Sequence, residues 1–316
     1  METQPGLIIR AQSGFYTVQT DQGALVCWLR GRLKKNRAEG DIAAVGDRVR
    51  VRPLPDGNGV IEAVEPRRSE LVRMAPSPRG AYRQVILANP DQVVMVFACS
   101  HPEPRLGLLD RFLVVAEKQG IPALIVANKV DLTGRDKAKA IFGHYPALGY
   151  EVIYTSVVSG EGLAELRGRL EGKISALAGP SGVGKSSLLN ALQPGLGLKV
   201  REIRRGTHKG RHTTVVREMF ALSGGGFVAD TPGIKAFALW DIQPEELDGY
   251  FPELRDLVAQ CEFSDCSHVH EPGCAIRAAV ASGRIHPQRY RSYVRMRNIS
   301  SDLSEDSVNV VDTRQK

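Results

Sequence analysis

Gly179-Pro180-Ser181-Gly182-Val183-Gly184-Lys185-Ser186-Ser187 fits the spacing G-x-x-x-x-G-K-[ST]. It follows the apolar run ISALA and opens SSLLNAL, the strand, loop and helix context that a phosphate cradle requires. Glycines let the backbone curl so that successive N–H groups and a helix N-terminus face phosphate oxygens. Lys185 adds a fixed positive charge, and the Ser186 hydroxyl is a magnesium ligand. A glycine turn with a purely structural role would need none of these side chains.

Asp230-Thr231-Pro232-Gly233 follows another apolar run, FVA. An aspartate there can hold Mg2+ through its shell, and the Gly233 N–H can sense a γ-phosphate. Between the two motifs lies RRGTHKGRHTTVV, from Arg204 onward, with no clear period. It reads as a loop that brings Thr213 or Thr214 to the magnesium. Many enzymes of this chemistry orient the attacking water with a glutamine after D-x-x-G, whereas this chain has Ile234 and Lys235. Slow intrinsic hydrolysis is expected.

Asn128-Lys129-Val130-Asp131 matches N-K-x-D at the end of the apolar run PALIVAN. The Asp131 carboxylate can accept two parallel hydrogen bonds from guanine N1–H and its amino group, which adenine cannot offer, while Asn128 and Lys129 brace loop and base. GTP is therefore expected over ATP. A following strand ends YTSVVSGEGL, a candidate second base loop with Ser156, although Val157 and Val158 depart from the usual Ser-Ala-Lys form. The order is base loop, second base loop, phosphate loop, switch threonine, D-x-x-G, which is a circular permutation of the usual GTPase order. Parallel sheets tolerate such a cut, because ligand loops stay at the carboxyl ends of strands however the strands are threaded.

CEFSDCSHVHEPGC supplies Cys261, Cys266 and Cys274 with His268 and His270. The pattern C-x4-C-x-H-x5-C offers donors for one tetrahedral, structural Zn2+ with no position left for water; spacing alone does not choose between the two histidines. Cys27 and Cys99 stand apart and read as small buried apolar residues. Beyond the cluster, Arg284, Arg289, Arg291, Arg295 and Arg297 alternate with Tyr290 and Tyr293, either to face RNA or to pack on the protein itself.

These motifs need elements to hold them. From Leu7 to about Val64, FYTVQT, ALVCWLR, DRVRVR and GVIEAV alternate between turns, the pattern of a five-stranded OB-type β-barrel. RGRLKKNRAEGD between its third and fourth strands places Arg30, Arg32, Lys34, Lys35 and Arg37 in one loop, suited to phosphate attraction without sequence readout. A linker, EPRRSELVRMAPSPRGAY, precedes apolar strands that alternate with helices such as Leu108 to Lys118, an α/β domain with a largely parallel sheet. After Asp230-Thr231-Pro232-Gly233 the pattern becomes helical from about Pro244 to Ile299, and SSDLSEDSVNVVDTRQK reads as a frayed tail. The expected divisions are 1–68 (barrel), 69–240 (permuted GTPase), 241–300 (mainly helical zinc module) and 301–316 (disordered tail). No apolar run is long enough for a membrane helix and the N-terminus lacks a signal peptide's pattern, so a cytoplasmic protein with no membrane partner is expected; a monomer is expected as well. The net charge of +7 favours polyanionic partners.

The permuted order, GPSGVGKSS, GRHTT, DTPG, the basic β-barrel and the Cys/His cluster together resemble the ribosome small-subunit-dependent GTPase A (RsgA, YjeQ) family. That resemblance implies circularly permuted GTPases acting late in maturation of the small (30S) ribosomal subunit, with GTP, GDP and ribosomal RNA as partners and stimulation by the subunit. It implies Cys261, Cys266, His268 and Cys274 as the ligands, and His212, before the switch threonines, as the substitute for the missing glutamine. Because D-x-x-G leads straight into the zinc module, the nucleotide state is expected to reposition that module. A non-catalytic GTP-binding RNA scaffold and an ATP-driven enzyme are the competing readings.

Overall fold

The computed structural model describes residues 2–31, 33, 41–77, 80–196, 217–230 and 242–309. Five strands, β1 (Gln4–Gln12), β2 (Phe15–Thr20), β3 (Gly23–Leu29), β4 (Arg48–Pro53) and β5 (Asn58–Val64), pair in the order β1-β2-β3-β5-β4, and β4 returns to β1 to close a barrel. Alternation drives this closure. In β4, Val49 and Val51 are fully buried while Arg48 and Arg50 face out, the period of two that a half-buried strand imposes. The barrel core is Ile8, Val18, Cys27, Val49, Val51 and Ile61, and Cys27 is a small apolar filler as expected.

The linker stretch departs from expectation. Glu70–Ser77 (β6) and Gly80–Ala88 (β7) form an antiparallel hairpin that buries Leu71, Val72, Val85 and Leu87. Pro76 and Gly80, which read as a break in the sequence, lie within the strands, where Pro76 pairs with Ala81 and Ser77 with Gly80. Arg67 joins the hairpin to the barrel through Asp47 at 2.8 Å and Glu70 at 3.2 Å. At Gly46, with φ +91°, a Cβ would stand 2.0 Å from the Ala88 carbonyl oxygen, so only glycine lets barrel and hairpin meet this closely.

The central domain has β8 (Gln92–Ala98), β9 (Ala123–Asn128), β10 (Glu151–Thr155), β11 (Ile174–Ala178), β12 (Arg217–Ala221) and β13 (Phe227–Asp230), in the order β10-β9-β8-β11-β13-β12. All its pairings are parallel except β12–β13. Every residue of β8 and β11 is buried, as a sheet covered on both faces demands. Helices α1 (Leu106–Lys118) and α2 (Arg135–Phe142) cover one face, and α3 (Leu163–Leu170) and α4 (Lys185–Leu192) the other. Antiparallel pairing of β1 with β12 (Arg10↔Glu218, Ala11↔Arg217) fuses barrel and domain into one sheet of eleven strands among the described residues.

The last part is mainly helical: a 3-10 segment (Pro244–Tyr250), α5 (Pro252–Arg255), α6 (Ala275–Ala281) and α7 (Pro287–Asn309). Its core of Leu247, Phe251, Leu254, Ile276, Ile285 and Tyr293 also takes in Val114 of α1. Residues 301–309, read above as tail, have helical backbone, because nothing in SDLSEDSVN stops a helix already anchored upstream. Residues 310–316 lie outside the described residues. No helix among the described residues is long and apolar enough to cross a membrane.

Candidate nucleotide site and metal centre

The nucleotide motifs lie far apart in the chain, but strand register brings them to one edge. Ala98 is level with Asn128 and Asn128 with Thr155, so the base loop and the second base loop leave the sheet side by side. On the other side of β8, Ala178 pairs with Met95, and Leu177 pairs with Asp230. The phosphate loop therefore emerges between the base loops and the backbone of the D-x-x-G aspartate. This carboxyl edge is where parallel sheets bind ligands.

Within the phosphate loop, Gly179, Gly182 and Gly184 have φ of +145°, +84° and +98°, which only glycine adopts freely. Two of them also have no room for a side chain. A Cβ at Gly179 would lie 2.1 Å from the Val96 carbonyl oxygen, and one at Gly184 would lie 2.5 Å from Asn128 Nδ2. The loop then runs into α4, whose first residue is Lys185. Lys185 Nζ donates to the Gly179 and Pro180 carbonyls at 2.8 Å each, which holds the ammonium within the loop it encircles. Pro180, Ser181, Gly182, Ser186 and Ser187 are all at least partly exposed at this opening, while Val183 is buried beneath it.

The guanine motif is bound to this loop directly. Asn128, 1% exposed, donates from Nδ2 to the Val183 carbonyl at 2.8 Å and accepts from the Thr155 hydroxyl at 3.0 Å. Lys129, at φ +63°, donates from Nζ to the Gly182 carbonyl at 2.7 Å and to the His101 carbonyl. Burial holds its ammonium below the usual lysine range, opposed by Asp131. Val130 is packed inward, and Asp131 is exposed with Oδ1 accepting from the Ser156 hydroxyl at 2.6 Å. Thr155 and His101 were missed in the sequence, although Thr155 immediately precedes Ser156. Ser156 is fully buried, and the neighbouring Val158 is 85% exposed at the rim. Cys99, beneath this edge, is a buried apolar residue as expected, and burial pushes its thiol up to about 11.

His212, Thr213, Thr214 and Gly233 lie outside the described residues, as do Arg32, Lys34, Lys35 and Arg37. Arg30 is described: it pairs with Glu62, whose other carboxylate oxygen takes Arg52 at 3.0 Å.

Cys261, Cys266, His268 and Cys274 bring their donor atoms within 4.8 Å of one another. His268 Nδ1 lies 3.5 Å from both the Cys261 and Cys274 sulfurs, and those sulfurs are 4.0 Å apart. Zinc–sulfur bonds of about 2.3 Å in a tetrahedron put sulfurs about 3.8 Å apart, so the donor set fits that ion. The choice between histidines, which spacing leaves open, agrees with the His268 that the resemblance implies: His268 is 1% exposed, whereas the His270 side chain is 81% exposed.

Two members of the arginine and tyrosine run face inward. Arg289, with no exposed surface, reaches Asp110 of α1 at 2.7 Å and Glu253 at 2.6 Å, and lies 4.5 Å from the centre of the Phe251 ring. Tyr293, fully buried, donates to the Ser267 carbonyl at 2.9 Å. The RNA-facing alternative is thereby removed for these two, while Arg284, Arg291 and Arg295 remain exposed. Asp110 gave a single sequence signal, an acid amid the apolar positions of α1.

Residues 64–240 match the family model of the RsgA GTPase and residues 5–61 that of the RsgA N-terminal domain. The chain is 46% identical over 297 residues to the small ribosomal subunit biogenesis GTPase RsgA of Gemmatimonas aurantiaca, covering 93% of this chain and 96% of that one. It is 43% identical to the protein of the same name from Moorella thermoacetica, covering 92% and 94%. Among solved structures it is similar to YjeQ from Thermotoga maritima, with a TM-score of 0.76, 38% identity and coverage of 94% and 98%. It also matches YloQ, described as a circularly permuted GTPase, with a TM-score of 0.72, 34% identity and coverage of 95% and 96%. With its closed barrel, its permuted phosphate and guanine loops and its Cys/His centre, the chain belongs to the RsgA GTPase family.

Proposed function

We propose that the protein binds GTP at the carboxyl edge of its parallel sheet and hydrolyses it to GDP and phosphate while acting on the small ribosomal subunit during its late maturation. The observation that carries this is the lock between base loop and phosphate loop: Asn128 on the Val183 carbonyl at 2.8 Å and Lys129 on the Gly182 carbonyl at 2.7 Å. These bonds fix the distance between the guanine-reading carboxylate of Asp131 and the phosphate-reading backbone of 179–187. A nucleotide spanning both pays little ordering cost. Asp131, oriented by Ser156, selects guanine. Gly179 to Ser187 cradle the phosphates, with Lys185 turning from the loop carbonyls to the nucleotide.

Mg2+ would be held by Ser186, with Asp230 and Thr213 or Thr214 completing its surroundings, and would neutralise charge on the β- and γ-phosphates. Gly233 would sense the γ-phosphate. His212 is the candidate for positioning water in place of the absent glutamine, once RNA orders its loop. One structural Zn2+ would be held by Cys261, Cys266, His268 and Cys274. Residues 1–68 serve as the RNA-binding barrel, 69–240 as the GTPase and 241–300 as the zinc module. Arg30, Arg32, Lys34, Lys35 and Arg37 attract ribosomal RNA phosphates. The protein works in the cytoplasm as a monomer.

Turnover of GTP and ATP by purified protein, with and without small subunits, tests the reading. GTP-specific turnover that rises with subunits supports it; tight GTP binding without turnover would make the protein a scaffold, and ATP preference would overturn the role of Asp131. Asp131→Asn is expected to weaken GTP binding about 100-fold, since it removes charge-assisted bonds to guanine.

A further inference from the structure

His268 presents one ring nitrogen to the sulfurs and must place the other somewhere. An imidazole that gives its Nδ1 lone pair to a metal carries its proton on Nε2, and a buried N–H needs an acceptor. His268 Nε2 lies 3.1 Å from Oδ2 of Asp248, a residue outside the Cys/His run that no spacing argument would include. Asp248 belongs to the 3-10 segment Pro244–Tyr250, twenty residues upstream.

That segment is itself clamped. Glu246 closes a capping box with Gln243 and accepts from Lys118 Nζ of α1 at 2.9 Å and from the Tyr250 hydroxyl at 3.0 Å. Arg297 of α7 donates to the Pro244 carbonyl at 2.8 Å. On the other side, the His268 carbonyl accepts from the Tyr290 hydroxyl at 2.7 Å, which fixes the backbone at its φ of +63°. Both ends of the Asp248–His268 contact are therefore immobilised by independent neighbours.

We infer that Asp248 is the positioning residue of the metal centre: it selects the Nε2–H tautomer of His268, sets the plane of its ring and increases the electron donation of Nδ1 to the ion. The inference rests on reading Cys261, Cys266, His268 and Cys274 as zinc ligands. Its consequence is that the metal's hold depends on a segment joined to α1, and not only on the run that contains the ligands. Such outer partners typically contribute 10- to 100-fold in metal affinity.

The test uses the full chain. Zinc affinity is measured by competition with a chromophoric chelator for the unmodified protein, Asp248→Asn, Asp248→Ala, Asp248→Glu and, as a control, the exposed Asp265→Asn. Folding at saturating zinc is followed by circular dichroism. The expected result is affinity about 10-fold weaker for Asp248→Asn, up to about 100-fold weaker for Asp248→Ala, partly recovered in Asp248→Glu and unchanged for Asp265→Asn. The cobalt-substituted protein adds a readout that mere packing would not move: its visible bands shift in Asp248→Asn. If Asp248→Ala does not fold, the Asn variant still decides. Affinity within twofold of the unmodified protein and an identical cobalt spectrum for Asp248→Asn overturn the inference. An unmodified protein that takes up no zinc overturns the four-ligand reading, and the inference with it.

Discussion

The barrel and the helical module flank the same central domain but are fastened to it by different physics. The barrel continues the sheet: β1 pairs with β12, and the two units share one apolar core from Ile8 to Phe97. Arg217 reinforces the joint by donating to the Val85 carbonyl at 3.0 Å, with Asp41 at 3.5 Å. The module is held by a buried ionic cluster in which Arg289 spans Asp110 and Glu253, while Tyr145 and Gln288 satisfy Asp110 at 2.8 Å each. Main-chain ladders survive most side-chain changes. A buried charge that loses its partner is heavily penalised. Separating the module from α1 would break these bonds and return the cluster's charges to water.

The largest effect should come from the metal. Chelation, or Cys266→Ser, is expected to unfold the module and leave the fused sheet intact, since structural zinc contributes about 10–16 kcal/mol in small domains. Loss of the near-ultraviolet signal of Tyr290 and Tyr293 with a retained β far-ultraviolet spectrum would show it; simultaneous loss of both would mean that the two joints are equally dependent on metal. Next, Arg289→Ala should cost about 3–5 kcal/mol in denaturant unfolding, and replacing Arg289, Asp110 and Glu253 together by Met, Leu and Met should recover most of that. Arg217→Ala at the barrel joint should cost about 1.5 kcal/mol, because the strand ladder remains. Equal costs at Arg289 and Arg217 would erase the contrast.

The smallest effect is a pH dependence at the module joint. His144 stacks on His286 with ring centres 4.1 Å apart, and burial, aided by His286, pushes it down to about 4. Between about 6.5 and 4 the unfolded chain binds a proton that the folded one refuses, so stability present above pH 6.5 is lost as pH falls through this window. Because His144 is only half-buried, solvent screening reduces the effect to about 1 kcal/mol. His144→Gln should flatten the acid limb of a melting-temperature profile between those values; an unchanged slope would assign it to other groups.

The nucleotide loops were legible because each is a contiguous stretch whose residue types serve one ligand: the glycines and Lys185 for phosphate, Asp131 for guanine. The barrel was legible from alternation such as Val49 and Val51 between arginines. The β6–β7 hairpin was not, since Pro76 and Gly80 read as a break while the pairs that bury Leu71 and Leu87 are long-range. β12 also went unmarked, being short and mixed in polarity.

What the amino-acid order determined by itself was the chemistry: a phosphate cradle, a guanine reader placed ahead of it in a permuted chain, and a set of soft metal donors. Only the tertiary structure decided which charges are inside. The sequence leaves open whether Arg289 faces RNA or packs on the protein until Asp110, 179 residues away, is brought against it, and spacing does not separate His268 from His270 until burial places His268 beside Asp248. The physical reason is that a motif's function is carried by neighbours along the chain, whereas the state of a buried ionisable group depends on which distant partner replaces its water.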